Sequence, residues 1–211
     1  ASVQLGKAPA ALTVRQLNSR IHRAITQDKE LVLDPAFFEA VAPSLQMSGI
    51  EIVLKRGRAD NELTRYRYDV VLHAQAATRP HAEQFDGSSS DGLERLAQRL
   101  ATHQAVALRV RNVPNLRLAR DAAMWRLLQA SEGSATVADV RTQLKGTSLV
   151  GADPEDLWVL GEEHGYDARI SWNSGTADGA MDVEFVKRTG VSVVQPVAMV
   201  RSAPSPHWRS L

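Results

Sequence analysis

The densest gathering of side chains able to do chemistry is Asn61-Glu62-Leu63-Thr64-Arg65-Tyr66-Arg67-Tyr68-Asp69. Nine residues there hold an amide, two carboxylates, two guanidinium groups, a hydroxyl and two phenols. Elsewhere the chemistry thins out. The six histidines (His22, His73, His81, His103, His164 and His207) form no HExxH or other metal-ligand spacing, so no metal site is expected. His73, which closes the run after the cluster, is the one histidine worth testing for a site role. The absence of cysteine removes disulfides, thiolate metal sites and cysteine nucleophiles, and it agrees with a reducing, cytoplasmic setting. Ser171 has no nucleophile-elbow context. Arg109, Arg111, Arg117, Arg120 and Arg126 could bind phosphate, but only Trp125 offers an aromatic platform and Asp121 interrupts the run. A solvated helix face is the stronger reading of that segment.

The elements around the cluster are marked by local signals. Thr13 with Gln16 three residues later is a capping-box pattern, and Val14, Leu17, Ile21 and Ile25 follow on one helical face. Asp34-Pro35 starts a second helix carrying Phe37, Phe38 and Val41, with Pro43 at its end. Ile50, Ile52 and Leu54 alternate with Glu51 and Lys55, while Tyr66, Tyr68, Val70 and Leu72 alternate with Arg67, Asp69 and His73. Two neighbouring period-two runs predict an antiparallel pair joined by a polar connection, Arg56 to Arg65. Gln75 to Asp91 has linker composition, including Thr78, Arg79, Pro80 and Asp86-Gly87-Ser88-Ser89-Ser90-Asp91. Asp91 with Glu94 then predicts a cap for a helix striped by Leu93, Leu96, Ala97 and Leu100. Val106, Leu108 and Val110 predict a strand, Leu116 to Leu128 and Thr136 to Leu144 two helices, and Asp153-Pro154 a helix that stops near Gly165. Tyr166 to Trp172 and Met181 to Lys187 read as strands. The tail from Ser192, with Pro196, Pro204 and Pro206, reads as an exit linker. The expected division is therefore 1–77, a linker over 78–90, a second part over 91–188, and an exit linker over 189–211.

Residues 61–71 closely resemble a core motif of N-methyltransferase domains in nonribosomal peptide synthetases, usually written NELSxYRYxAV. Asn61, Glu62, Leu63, Tyr66, Arg67, Tyr68 and Val71 match it, with Thr64 in place of Ser and Val70 in place of Ala. Glu30 to Phe38 and Ile50 to Arg58 are similar to the family's approach to that motif. A later family motif, VExSxARQxGxLD, has an echo in Ala168-Arg169-Ile170-Ser171 and Gly179-Ala180-Met181-Asp182, without the central Ala-Arg-Gln. The family's glycine-rich VLExGxGxG loop is absent. Gly161 with Gly165, and Gly175 with Gly179, have the wrong spacing for the close backbone approach that such a loop allows.

The resemblance implies an α/β fold: the C-terminal part of a class I methyltransferase sheet, with its antiparallel terminal strand pair and helices, followed by a small α+β subdomain. Gly49 to Lys55 would be the sixth strand and Tyr66 to His73 the seventh. The connection between them would lie at the active-site rim, making Asn61, Glu62, Arg65, Tyr66 and Arg67 candidate substrate-binding residues. Those groups would hold the amine or pantetheine arm of a carrier-bound aminoacyl substrate, with Glu62 orienting the amine or accepting its proton. A structural reading stays open beside this one, in which the polar groups are ordinary loop residues and the tyrosines fill a core face. S-adenosyl-L-methionine would bind only with a donor-binding half that is missing, so the piece is expected to be inactive alone. The implied partners are the rest of the methyltransferase and adenylation domains and a peptidyl carrier protein. The alternative is a decayed, non-catalytic module serving as spacer or docking domain.

Bulk properties fit such a piece. The chain has 211 residues, 44% of them hydrophobic, which suits one ordinary domain or two small ones. Lys plus Arg is 25 against 24 for Asp plus Glu, so there is no electrostatic reason to expect a nucleic-acid or membrane partner. Ala1 to Ala11 does not read as a signal peptide. The missing initiator Met hints at an excised piece.

Overall fold

Short-range caps decide where most helices begin. In the computed structural model, which describes residues 2–75, 80–89, 91–102, 104–172 and 178–188, the Gln16 amide donates to the Thr13 hydroxyl at 3.3 Å. The Gln16 side chain in turn accepts from the Thr13 amide at 3.1 Å. This reciprocal box opens α2 (Val14–Gln27). The same device at Thr136 and Asp139 opens α7 (Val137–Gly146), so Thr136 is the cap rather than the first helical residue. Aspartate followed by proline opens α3 (Pro35–Val41) and α8 (Pro154–Glu163). Pro43 ends α3 by passing the chain into a 3₁₀ turn, Ala42–Leu45. A helix without a sequence signal, α1 (Ser2–Lys7), precedes these.

The chain divides into two compact units. The first, 1–32 with 118–150, is helical: α1, α2, α7 and α6 (Leu116–Ala130) from Leu118 onward. Its core gathers Leu5, Val14, Leu17, Ile21, Met124, Leu128, Val137, Val140 and Leu144. Ile25, expected on the buried stripe of α2, is 63% exposed, so that stripe ends one turn early. Backbone bonds tie the two stretches together, Val14 N–H to Ala135 O and Val137 N–H to Leu12 O, both at 2.8 Å. Arg141 donates to the carbonyls of Leu5 at 2.6 Å and Ala8 at 2.9 Å, satisfying the end of α1.

The second unit, 33–117 with 151–211, is built on a six-stranded sheet. Its strands are β1 (Gly49–Leu54), β2 (Tyr68–His73), β3 (Glu83–Asp86), β4 (Ala107–Val113), β5 (Tyr166–Trp172) and β6 (Met181–Lys187). They lie in the order β2-β1-β5-β6-β4-β3. The expected antiparallel pair is present, with β1 and β2 registered from Gly49 opposite His73 to Leu54 opposite Tyr68. β3 and β4 are parallel, and every other neighbouring pair is antiparallel. Alternation sends Leu54, Val110, Ile170 and Val183 into a core shared with Leu96 and Leu100 of α5 (Gly92–Ala101) and Leu157 and Trp158 of α8. The opposite face carries charge. Arg169, Glu184 and Arg109 stand in register across three strands, and Arg109 is ion-paired with Glu184.

The mixed α/β class expected from the sequence is the class observed. Four local expectations change. The linker-like stretch holds β3, with Ala82 and Gly87 buried on either side of it. The connection Arg56 to Arg65 contains a short helix, α4 (Glu62–Tyr66), so Tyr66 is helical and the following strand starts at Tyr68. Asp91 stands at the start of α5 but makes no capping bond. The arginine-rich segment is not one solvated helix face: Arg109 is paired within the sheet, and the side chain of Arg117 is only 6% exposed. The expected partition at 78–90 also differs from the compact units, because β1 pairs with β5 as well as β2 and so draws residues from both proposed parts into one sheet. Thr78, Arg79, Ser90, His103, part of the β5–β6 turn and the whole 189–211 tail with His207 lie outside the described residues. Among the described residues no helix is long and apolar enough to cross a membrane.

Candidate functional site

The β1–β2 loop brings the predicted site residues together, and its shape follows from Asn61. The Asn61 backbone is extended, and its side-chain oxygen accepts the Thr64 amide at 3.2 Å. The Thr64 hydroxyl accepts the Asn61 amide at 3.4 Å and donates to the Ala59 carbonyl. Asn61 and Thr64 thus form a capping box for α4, which assigns the Asn61 side chain to local structure. Glu62 sits in the first turn, where a carboxylate suits the positive end of the helix, and it pairs with Arg67 at 2.8 Å. Arg65 grips Asp60 through two contacts, 2.5 and 2.8 Å. That bidentate partner holds the Asp60 carboxyl below the usual carboxylate range.

Leu63 and Tyr66, one helical turn apart, are 61% and 44% exposed, so Tyr66 does not fill a core face. Tyr68 does: it is half-buried, its ring meets Phe38 and Trp172 edge-on, and its hydroxyl donates to the Leu33 carbonyl at 2.5 Å. Burial, aided by Asp34, pushes its phenol up. The outward side of the loop therefore presents a carboxylate, a guanidinium, a phenol and an apolar side chain on a short, capped helix.

The base of the loop is clamped from remote parts of the chain. Arg56 pairs with Glu155 at 2.6 Å and Glu162 at 3.0 Å, and its guanidinium lies 5.1 Å from the centre of the Trp158 ring. The Gly57 amide donates to Glu155 at 2.8 Å, and Arg58 pairs with Asp156 at 2.7 Å. The Arg56 hydrogen bond, outweighing partial burial, holds the Glu155 carboxyl below its ordinary range. Arg117 reaches the loop from α6, donating to the carbonyls of Lys55, Gly57 and Thr64. Sequence reading missed Glu155 and the buried role of Arg117. Their partners lie many residues away, and no local pattern announces such contacts.

His73 is not part of the site. It occupies the far end of β2, roughly 17 Å along the strand from Tyr68 at 3.3 Å per residue. There its Nε2 lies 3.5 Å from the Glu51 carboxylate. No group of three or more metal-ligating side chains occurs among the described residues.

One turn deserves comparison with a donor-binding loop. β3, α5 and β4 form a parallel strand–helix–strand unit whose first turn contains Gly87 and Gly92. A Cβ at Gly87 would meet the Val113 side chain at 2.5 Å and that of Val110 at 3.0 Å, and one at Gly92 would meet the Asp86 carbonyl at 2.6 Å. The protein's own atoms fill the space a Cβ would need, so at both positions the glycine allows the close packing of the described turn.

No protein-family model matches the chain. Curated relatives do. Chondramide synthase of Chondromyces crocatus is 34% identical over 97% of this chain, and cyclosporin synthetase of Tolypocladium inflatum is 31% identical over 75% of it. A nonribosomal peptide synthetase of Emericella nidulans is 29% identical over 82%. The chain spans only 5%, 1% and 7% of these relatives. Along most of its length, therefore, this polypeptide is related to a segment of nonribosomal peptide synthetases.

Proposed function

We propose that the chain is the acceptor-side, C-terminal part of an S-adenosyl-L-methionine-dependent N-methyltransferase domain, which acts on carrier-bound aminoacyl groups during nonribosomal peptide synthesis. One observation carries the reading. The run 61–71 has its polar half on a clamped, outward-facing loop and its apolar half in β2, one of the two edge strands of the sheet among the described residues. An edge strand can be extended by further strands, as a donor-binding half supplied by other polypeptide requires. On this reading the chain's share of the chemistry concerns the acceptor. Glu62 orients the aminoacyl amine and accepts its proton, while Tyr66 and Arg67 hold the arm that delivers it. Neighbouring methyltransferase and adenylation segments and a peptidyl carrier protein are the partners this role needs.

The test has two arms. Calorimetry on the 211-residue chain should register no S-adenosyl-L-methionine binding, and tight binding would overturn the assignment of the donor site to other polypeptide. In the longer native polypeptide, labelled methyl should pass to an aminoacyl carrier, with the product's fragmentation locating it on nitrogen. Glu62→Gln should slow that transfer by about tenfold or more.

A second reading, a decayed spacer, draws on the absent Ala-Arg-Gln of the late motif. It predicts no transfer even from the longer polypeptide.

A further inference from the structure

Arg117 sits at the foot of α6, and its own placement is over-determined. Its amide donates to the side chain of Asn115 at 3.0 Å, and Asn115 is 4% exposed. Leu116 N–H bonds Ala152 O at 3.0 Å and Ala152 N–H bonds Pro114 O at 2.9 Å, zipping the β4–α6 connection to the strand of chain entering α8. From this base the guanidinium divides its donors. Nη1 reaches the Lys55 carbonyl at 2.8 Å and the Thr64 carbonyl at 3.3 Å. Nη2 reaches the Gly57 carbonyl at 2.6 Å and the Asp153 carboxylate at 3.0 Å.

Lys55 and Gly57 begin the loop, and Thr64 lies in the helix near its end. One buried cation thus closes both ends of the segment that displays Glu62, Tyr66 and Arg67. The planar fork is what makes this possible, since a lysine ammonium is a single point on a flexible stem. Without the fork, three carbonyl oxygens lose their charged donor, and the two ends of the loop are free to separate.

We propose that Arg117 is a positioning residue for the acceptor side of the site, acting through the loop rather than on any substrate; this rests on the methyl-transfer reading above. Its role is to hold α4 in one orientation against β1, so that the carboxylate of Glu62 meets the incoming amine without first paying the entropy of ordering the thirteen-residue loop 55–67.

Hydrogen exchange on the 211-residue chain gives the first measurement, comparing Arg117→Met, Arg117→Lys and, as a control, Arg99→Met. Arg99 forms a two-contact pair with Glu83 elsewhere in the same unit. Amides of Gly57, Thr64, Arg65 and Arg67 should exchange about tenfold faster in Arg117→Met and by a smaller factor in Arg117→Lys. They should be unmoved in Arg99→Met, and protection in β4, β5 and β6 should persist in all three. Unchanged loop exchange in Arg117→Met overturns the proposal; if that variant fails to fold, unchanged exchange in Arg117→Lys does so.

Kinetics on the longer native polypeptide give the second. The KM for aminoacyl carrier should rise about tenfold in Arg117→Lys while the KM for S-adenosyl-L-methionine stays within about twofold. Equal damage to both substrates marks a merely structural residue and overturns the proposal. A wild-type polypeptide that transfers no methyl defeats the methyl-transfer reading instead, and the exchange result then stands as a statement about the loop alone.

Discussion

A carboxylate that serves two partners titrates differently from one in water, and Glu155 is such a group. It accepts from Arg56 and from the Gly57 amide, its side chain is 13% exposed, and the Arg56 bond depresses its proton affinity. The sign follows directly. A folded-state value below the unfolded one means that the unfolded chain binds the proton more tightly. The stabilisation is therefore whole above the ordinary glutamate value of about 4.3 and fades as acidification carries the pH through the lower, folded value. Urea unfolding should show the wild type losing stability across that acid window. Glu155→Gln should start lower at neutral pH and lose less on acidification. Parallel acid limbs for the two proteins would show that Glu155 carries none of it. At this scale the sequence was informative about which residues gather and poor about what they do. Asn61 looked like a ligand group, and its side-chain oxygen also caps α4, which no ligand reading foresees. Arg117 looked like solvated charge and is the most deeply engaged cation of the loop.

Elements were legible where their signals were local. Thr13 with Gln16, Asp34-Pro35 and Asp153-Pro154 each encode a helix start within four residues, and each start is found where it was expected. Besides α1, two elements around the site and the sheet edge were hidden for opposite reasons. α4 was masked because Tyr66 continues the period-two phase of Tyr68, Val70 and Leu72, while the asparagine–threonine cap that wins is only one turn long. β3 was masked because four residues give too short a pattern and glycine and serine follow it. The glycine nevertheless carries a checkable load. Gly87→Ala pushes a methyl into Val113, Val110 and the Arg111 carbonyl and should destabilise by about 1–3 kcal/mol in urea unfolding, as overpacking does. Gly146→Ala, with nothing within 4 Å at the end of α7, should be neutral or stabilising by about 0.5–1 kcal/mol. Equal effects at the two sites would contradict this account of the β3–α5 turn.

On the scale of the molecule, the units could not be read from the chain order, because each is assembled from two distant stretches. Thr13 bridges to Thr136, and Val53 pairs with Ser171, over separations that periodicity does not report. The two cores share no residue. Deleting residues 1–32 strips Met124, Leu128, Val137, Val140 and Leu144 of α1 and α2. The expected outcome is loss of helical circular dichroism and gain of dye-binding apolar surface, with hydrogen-exchange protection retained in β4, β5 and β6. Simultaneous loss of sheet protection would show that the two cores melt as one.

β2 has a bearing on how the isolated polypeptide behaves in a test tube. Its outer row of amides and carbonyls has no strand partner among the described residues, it contains no proline, and Val71 and Leu72 are exposed on it. Asp69 is its sole acidic gatekeeper. An open row of this kind is a template for a second copy, so self-association of the 211-residue chain is the expected outcome. A covering strand tethered in the same polypeptide works at an effective concentration of about millimolar and outcompetes stray copies at micromolar levels. Colloidal behaviour thus becomes a property of covalent continuity, and a longer expressed polypeptide that supplies such a strand should stay dispersed where the fragment clumps.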